Sequence, residues 1–325
     1  MAEMLTVIAP MFLLIVVGFG AGFVGRFRQA AGHLNAFVFY FALPSFIYTT
    51  MVSAPPLGSF PAVGLLIPLT LTPLLAVGLY LLCRAVGRWR DHAGPASLAG
   101  TFGNVGYFGI PISVGVLGPE AGLVAGLVHT AHNVFFMNAY PMVRTAVHAS
   151  RASSGRPQNL RQLWRERLWP ILRRAVLLNP VLGFILLALL TVFTPVQMPA
   201  LFNEPVEMIG QTAVPLALFC VGLALHPALA GVRSGGAPAA PVIFGATAKL
   251  LILPVITWAA VLPFYDQLGP VWAGVLIIMA ATPSSTTVFL FAEEYDGDGR
   301  LAAAILVLST ALSLVTLPVV AEFIL

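Results

Sequence analysis

Residues 103–111 read Gly-Asn-Val-Gly-Tyr-Phe-Gly-Ile-Pro, a combination that a regular helix does not tolerate. They lie inside an apolar run of about 20 residues, the length that crosses the hydrocarbon core of a bilayer. Proline removes a backbone donor and clashes with the preceding helical turn, and the glycines add backbone freedom. A helix broken at this depth needs a polar cavity for its open backbone groups. The segment therefore predicts a broken membrane helix with a site at its centre.

The composition of the whole chain indicates a membrane protein. Of its 325 residues, 59% are hydrophobic and 9% are charged, whereas a soluble domain carries about 25% charged residues. The net charge of +4 is the basic excess expected of cytoplasmic loops, so we expect no nucleic-acid partner. Cys83 and Cys220 lie in or beside apolar runs and suggest neither a disulfide framework nor a metal knuckle. We expect no cofactor and no metal.

Apolar segments long enough to span a bilayer recur along the chain, and their unbroken apolar runs favour helices over a barrel. If the N-terminus is outside, 15 of the 16 Lys and Arg residues fall on the cytoplasmic side, and the other, Lys249, lies within a segment. We therefore expect a multi-pass protein of the cell (inner) membrane with both termini outside, in the periplasm. The ten predicted segments are 5–24, 34–52, 61–83, 96–117, 121–143, 174–194, 207–226, 240–263, 270–291 and 301–323.

The proline positions indicate an internal repeat, because those of the two halves correspond at offsets of 170, 171 and 172 residues. Five segments per half is an odd number, so the second half must insert inverted, as in many secondary transporters. We expect a first five-helix repeat at 1–148, a cytoplasmic linker loop at 149–171 and a second, inverted repeat at 172–325. The corresponding prolines are Pro10 and Pro180, Pro44 and Pro215, and Pro111 and Pro283.

A second break occurs in segment nine, where Pro283 is followed by the hydroxyl residues 284–287. Matched breaks in two repeats are the best sequence indication of a transporter binding site. We expect Pro111 and Pro283 each to begin a second half-helix, whose positive N-terminus and free N–H groups favour an anion. For either proline alone, a simple kink is the alternative.

These features make the sequence resemble the auxin efflux carrier family, which includes plant auxin carriers and bacterial permeases often assigned to malonate. The resemblance covers nearly the whole chain and implies an all-α integral membrane fold of ten transmembrane helices in two inverted five-helix repeats. In this fold, which is similar to that of sodium/proton antiporters and bile-acid symporters, broken helices four and nine cross and a transport domain makes an elevator movement. The residues that carry the resemblance are 37–44 (Phe-Val-Phe-Tyr-Phe-Ala-Leu-Pro), 103–111, 179–180 (Asn-Pro) and 288–295 (Val-Phe-Leu-Phe-Ala-Glu-Glu-Tyr).

The resemblance also implies site residues. In the plant carriers, the asparagine seven residues before the crossover proline lies at the substrate site, and Asn104 matches it. Segment five of those carriers contributes further polar side chains. The chain departs from them in its short central loop and in carrying Ser284 and Ser285 where they have Gln and Gly. A homodimer is expected only from this resemblance.

The candidate substrate site combines both breaks with polar residues of segment five. His129 and Asn133 share a helix face, and His129 would serve either proton transfer or an interhelical hydrogen bond. Lys249 would balance the charge of the substrate or of a half-helix C-terminus, or reach the headgroups. The predicted substrate-binding residues are Asn104, Tyr107, Gly109, Pro111, His129, Asn133, Pro283, Ser284, Ser285 and Thr286, and the counter-charge or ion-site candidates are Lys249, Gln211 and Ser45.

These residues predict a secondary transporter of a small organic anion, a mono- or dicarboxylate, rather than an enzyme. The sequence shows no nucleotide-binding loop, and sodium or proton coupling stays open. One alternative is an intramembrane enzyme using Ser284 or Ser285 with His129, although no nucleophile motif supports it. The other is a ligand-binding membrane sensor that signals through the loop at 144–173.

Overall fold

The structure is a computed structural model. It describes residues 2–53, 61–152, 164, 169–170, 173, 179–194, 198–233, 236–294 and 298–324. These residues are almost entirely helical and contain no strand beyond one isolated backbone bridge.

Fifteen α-helices are numbered here along the described chain. In the first half they are α1 (Ala2–Ala21), α2 (Gly25–Phe37), α3 (Leu43–Ser53), α4 (Val63–Ala85), α5 (Ala93–Ala99), α6 (Ile110–Leu117) and α7 (Ala121–Ala152). In the second half they are α8 (Pro180–Phe193), α9 (Ala200–Gln211), α10 (Ala213–Arg233), α11 (Ala239–Thr247), α12 (Leu253–Val261), α13 (Tyr265–Ala281), α14 (Thr286–Glu294) and α15 (Gly299–Ile324).

Short helical turns complete the spans. π-Helical turns at Val38–Ala42 and Ala248–Ile252 join α2 to α3 and α11 to α12, and a third, Val105–Gly109, leads into α6. 3₁₀ turns precede α5 and α13, at Gly87–His92 and Leu262–Phe264. A π-turn widens the helix by one residue, and such turns are frequent at functional sites.

The apolar helices have the lengths that a bilayer requires. Among the described residues, five stretches are long and apolar enough to cross a membrane by length and composition. The chain is therefore an all-helical, multi-pass membrane protein. The five are Gly25–Ser53, Val63–Ala85, Ala200–Ala230, Ala239–Ala281 and Gly299–Ile324, and shorter apolar helices lie at Ile8–Ala21, Val105–Leu117 and Pro180–Phe193.

Several helix boundaries differ from the sequence-based ones, and the start of the second span at Gly25, predicted at 34, is the largest of those at an N-terminal end. Helix α7 continues to Ala152, beyond the predicted end of segment five at 143, and most of the linker predicted at 149–171 lies outside the described residues. Helix α13 turns at Gly269, whose φ of 67° is one that glycine adopts readily. The straight part of α13 therefore begins at Pro270, where segment nine was predicted to begin.

Several helix pairings have a counterpart in which segments of the first half and of the second half change places. Helix α1 packs on α10, and α8 packs on α3. Helix α4 packs on α5 as α12 packs on α13, and α6 packs on α7 as α14 packs on α15. The contact of α5 with α15 likewise matches that of α13 with α7. The pairings thus repeat when segments one to five are exchanged for segments six to ten.

Small residues bring α1 and α10 into close contact. A Cβ atom on Gly18 would overlap the backbone carbonyl of Phe219, and one on Gly222 would overlap the carbonyl of Ile15. Close backbone approach through small residues is a general way of packing membrane helices, since lipid offers no hydrophobic driving force between them.

Candidate substrate site at the helix crossing

The two helix breaks meet at one point. Residues 100–104 leave the helical path between α5 and the turn at Val105–Gly109, and residues 282–285 leave it between α13 and α14. Gly103 and Ser284 pair there as an antiparallel bridge. The predicted breaks of segments four and nine therefore lie against each other.

Backbone hydrogen bonds close this crossing. The Asn104 N–H donates to the Pro283 carbonyl at 2.8 Å, and the Ser285 N–H donates to the Phe102 carbonyl at 2.9 Å. Each extended segment thus satisfies backbone groups that the other leaves open, which a site within the bilayer requires.

Only glycine fits at position 103. A Cβ atom there would lie 2.5 Å from Thr282 Oγ1 and 2.8 Å from Lys249 Cε. A similar restriction holds at Gly106, where a Cβ atom would lie 2.7 Å from His129 Cε1. The glycines of the break therefore let other side chains approach its backbone.

Asn104 caps the helix that follows the first break. Its Oδ1 accepts a hydrogen bond from the Tyr107 N–H at 3.2 Å, as N-cap asparagines do. Because the amide oxygen faces that N–H, the amide nitrogen points away from the helix. Asn104 Nδ2 is buried and has no hydrogen-bond partner in the described structure. A buried donor without a partner is costly, so this atom is a prime candidate for contact with a ligand.

The second half-helices do not begin at the prolines, which corrects the sequence-based expectation. The helical path into α6 begins at Val105, and Pro111 lies buried in the first turn of α6. The π-turn before Pro111 shifts the hydrogen-bond pattern where proline supplies no N–H. Pro283 lies in the extended segment, and α14 begins after it at Thr286. Both half-helices nevertheless start at the crossing.

A cavity of about 700 Å³ opens beside the crossing. Its floor includes the buried Gly103, Asn104 and His129, and its rim includes the exposed Arg28 and Pro227. Much of the wall between them is apolar. Such a concave, mostly apolar pocket with a few convergent polar groups is typical of small-molecule sites.

The structure brings six of the ten predicted substrate-binding residues to this cavity. They are Asn104, Tyr107, His129, Asn133, Ser285 and Thr286. The other four, Gly109, Pro111, Pro283 and Ser284, are buried around the crossing and do not line it. A Cβ atom on Gly109 would overlap the Met279 sulfur, so this glycine serves packing.

His129 and Asn133 form a polar pair on the cavity wall. Asn133 Nδ2 lies 2.9 Å from His129 Nδ1, one helical turn away. His132 faces elsewhere, in ring contact with Phe102 and Phe136. No group of three potential metal ligands occurs among the described residues, and no hydrogen bond of the described chain joins Ser284 or Ser285 to His129. The serine–histidine arrangement of the enzyme alternative is therefore not formed there.

Lys249 lies behind the crossing and not on the cavity wall. It is fully buried, and its Nζ donates to the Ala280 carbonyl at 2.5 Å. Ala280 is in the last turn of α13, where the backbone carbonyls carry partial negative charge. Of the roles predicted for Lys249, this contact matches the half-helix C-terminus.

The two remaining candidates lie away from the crossing. Ser45 is buried on α3, and Gln211 is exposed and lines a separate cavity of about 320 Å³ with Asn203 and Glu207. Neither lines the cavity at the crossing, because the face of a helix that a polar residue occupies is not evident from its position in an apolar segment.

Sequence reasoning missed several lining residues. The sequence pattern indicates Arg28 only as a cytoplasmic loop charge, and it indicates Phe39, Met137, Phe289 and Leu290 only as membrane-spanning apolar residues. The aromatic stretch 37–44 carries part of the family resemblance, and that signal could have placed Phe39 near the site.

Known proteins are similar to this sequence over nearly its full length. Residues 4–321 match the model of a family described as membrane transport protein. The chain is 26% identical over 323 residues to a "Putative malonate transporter" of Rhizobium meliloti (strain 1021), covering 97% of this chain and 94% of the relative. It is 25% identical over 314 residues to an uncharacterized transporter of Methanothermobacter thermautotrophicus, covering 96% of this chain and 95% of the relative.

The apolar helices and the family match together define a membrane transport protein. Within that class, the chain belongs to the auxin efflux carrier family, as the sequence resemblance predicted.

Proposed function

We propose that the protein is a secondary transporter of a small organic anion, a mono- or dicarboxylate of the malonate or auxin type. The anion binds at the crossing of broken transmembrane helices four and nine, which break at 100–104 and 282–285. Alternating access follows from an elevator-type movement, and the absence of a nucleotide-binding motif in the sequence leaves a solute gradient as the energy source.

The observation that carries this proposal is the buried Nδ2 of Asn104, a donor without a partner on the cavity floor. A carboxylate oxygen is a strong acceptor for such a donor. The polar pair of His129 and Asn133 and the hydroxyl residues Ser285 and Thr286 line the same cavity. An anion there would find hydrogen bonds without displacing an existing partner of Asn104 Nδ2.

The helix ends at the crossing favour negative charge. Helical paths begin at Val105 and at Thr286, so their N-termini lie close to the cavity floor. The opposite kind of end, the C-terminus of α13, already has a side-chain donor at Ala280, the Lys249 Nζ. No Asp or Glu is among the described residues that line the cavity. The positive helix ends and the lack of carboxylates in the described lining thus support an anion as the substrate.

The proposed architecture is ten transmembrane helices in two inverted five-helix repeats, at 1–148 and 172–325. The recurrence of the helix pairings in the two halves supports this repeat. The name of the Rhizobium meliloti relative, "Putative malonate transporter", supports a carboxylate substrate. Sodium or proton coupling is part of the same proposal, and the binding experiment below distinguishes the two ions.

The test is a thermal-shift measurement of the purified protein in detergent against malonate and a panel of mono- and dicarboxylates. It is made at two pH values, with and without sodium. A ligand that binds the folded state raises the melting temperature, because the stabilisation is RT ln(1 + [L]/Kd). We expect a carboxylate to stabilise the wild type and to lose its effect in Asn104→Ala.

The matched control is Asn138→Ala. Asn138 is a buried asparagine of α7 that does not line the cavity and donates to the Val134 carbonyl. This variant should keep the carboxylate-induced shift. Shifts from cations or neutral solutes only, with none from any carboxylate, would refute the anion proposal.

A further inference from the structure

The cavity carries a single formal charge among its described lining residues, and that charge is at its mouth. Arg28 is exposed on the first turn of α2 and lines the cavity. The other titratable side chains of the lining are Tyr40, Tyr107 and His129. No carboxylate of the described chain forms an ion pair with Arg28, so its charge is not neutralised within the structure.

Arg28 is too far from the crossing to hold a bound substrate. The side chain of Leu43 marks the level of the crossing, since its Cδ2 would lie 3.5 Å from a Cβ atom on Gly106. Arg28 and Leu43 belong to one continuous helical stretch made of α2, the π-turn and the start of α3. At 1.5 Å per residue, they are separated by roughly 22 Å along its axis. An arginine side chain and a small carboxylate together do not span that distance. Arg28 can therefore contact an anion only before the anion reaches Asn104.

We propose that Arg28 is the electrostatic selectivity residue of this cavity: its unpaired charge concentrates anions at the mouth and repels cations before either contacts the crossing. A charge at the entrance of a cavity with low-dielectric walls acts on the local concentration of ions and on their rate of entry. A role of Arg28 in transport rests on the proposed function, anion transport. Its effect on the electrostatic potential along the cavity does not depend on that function.

Arg26 provides the matched control. It lies two residues before Arg28, is also exposed, and does not line the cavity. Two residues correspond to about 200° around a helix, so the two arginines point to different sides of α2. A general effect of surface charge would be shared by both residues, whereas an effect of the cavity mouth belongs to Arg28 alone.

The experiment measures the potential in the cavity without using a substrate. Cys83 and Cys220 are replaced by alanine, and Ala36→Cys introduces one thiol on the exposed part of the lining. The thiol is then allowed to react with an anionic reagent, 2-sulfonatoethyl methanethiosulfonate, and with a cationic one, 2-(trimethylammonium)ethyl methanethiosulfonate. The quantity of interest is the ratio of the two second-order rates, which cancels differences in access and thiol reactivity.

Arg28→Gln should lower the anion-to-cation rate ratio by about three- to tenfold at low ionic strength, and this change should shrink as salt is added. Arg26→Gln should leave the ratio within about twofold, and Arg28→Lys should keep the wild-type value because it keeps the charge. Melting temperatures of all variants confirm that the fold is retained.

Equal changes in Arg28→Gln and Arg26→Gln, or no change in either, would overturn the proposal. A thiol at position 36 that reacts with neither reagent would overturn it too, since no open mouth would then exist. The result is independent of the transport activity. If the anion-to-cation rate ratio depends on the charge of Arg28 but the protein binds no carboxylate, the assignment of Arg28 holds and only the proposed substrate is refuted.

Discussion

The Lys249 Nζ donates to the Ala280 carbonyl at 2.5 Å, in the last turn of α13. Lys249 belongs to a π-helical turn, Ala248–Ile252, and its side chain is fully buried. A charge within a membrane span is expensive and is retained where it has a function. Here it faces the negative end of a helix that a normal span would have continued.

Lys249→Met should therefore destabilise the fold. Methionine keeps the unbranched shape of the side chain but leaves the Ala280 carbonyl without its donor, at a cost of about 1–3 kcal/mol. Thermal unfolding in detergent would show the change as a lower melting temperature. Arg84→Met, at the exposed end of α4, is the control and should have little effect. An unchanged melting temperature together with a selective loss of anion affinity would instead assign Lys249 to the substrate.

Gly103→Ala should disturb the crossing. The new methyl group would meet Thr282 Oγ1 and the Lys249 side chain at distances that real Cβ atoms do not reach. Overpacking of this kind costs about 1–3 kcal/mol, so the melting temperature and ligand binding should both fall. Gly78→Ala on α4 is the control, because no atom lies within 4 Å of its added Cβ. Equal stability of the two variants would show that the crossing is looser than described.

Asn104→Asp separates capping from ligand binding. Aspartate is as good an N-cap as asparagine, so the hydrogen bond from the Tyr107 N–H is kept. The Nδ2 donor is replaced by an acceptor that carries negative charge, which repels a carboxylate. We expect the variant to stay monodisperse in size-exclusion chromatography and its carboxylate affinity to fall at least about tenfold, or about 1.4 kcal/mol. Wild-type affinity in this variant would remove Asn104 from the site.

A cross-link between α3 and α7 tests the elevator movement. Gly122 of α7 is so close to Thr50 of α3 that a Cβ atom on it would lie 2.7 Å from Thr50 Cβ. In a background without native cysteines, the Thr50→Cys/Gly122→Cys pair should form a disulfide after a small shift, since paired Cβ atoms lie about 3.8 Å apart. Counterflow of malonate into proteoliposomes should stop on oxidation and return on reduction.

The two single cysteine variants are the controls for that cross-link, and oxidation should not affect their activity. If the oxidised double variant transports at the wild-type rate, α3 and α7 do not move past each other. The proposed elevator would then be wrong, whereas a substrate site at the crossing would be unaffected.

Local sequence properties were sufficient to predict that the chain is a membrane protein and that two of its helices are broken. The length of an apolar run and the presence of proline or glycine within it are readable in the chain itself, because bilayer thickness and backbone chemistry act on each segment separately. The family followed from motifs in the same way, and the match over residues 4–321 confirms it.

The sequence pattern predicted the structural positions of individual residues less well. Pro111 was expected to begin a half-helix, but the π-turn at Val105–Gly109 moves that start upstream. Gln211 and Ser45 were candidates because they are polar within a span, yet neither reaches the cavity at the crossing. The helix face and the local hydrogen-bond pattern depend on neighbours that the linear sequence does not specify.

A helical membrane protein with breaks near Asn104 and Pro283 can be read from the amino-acid sequence alone. The folded molecule is needed to see that Gly103 pairs with Ser284, that Asn104 keeps a free donor on the cavity floor, and that Lys249 faces Ala280. This difference exists because breaks arise from local backbone chemistry. Their partners come from segments far away in the chain, and packing alone brings those segments together.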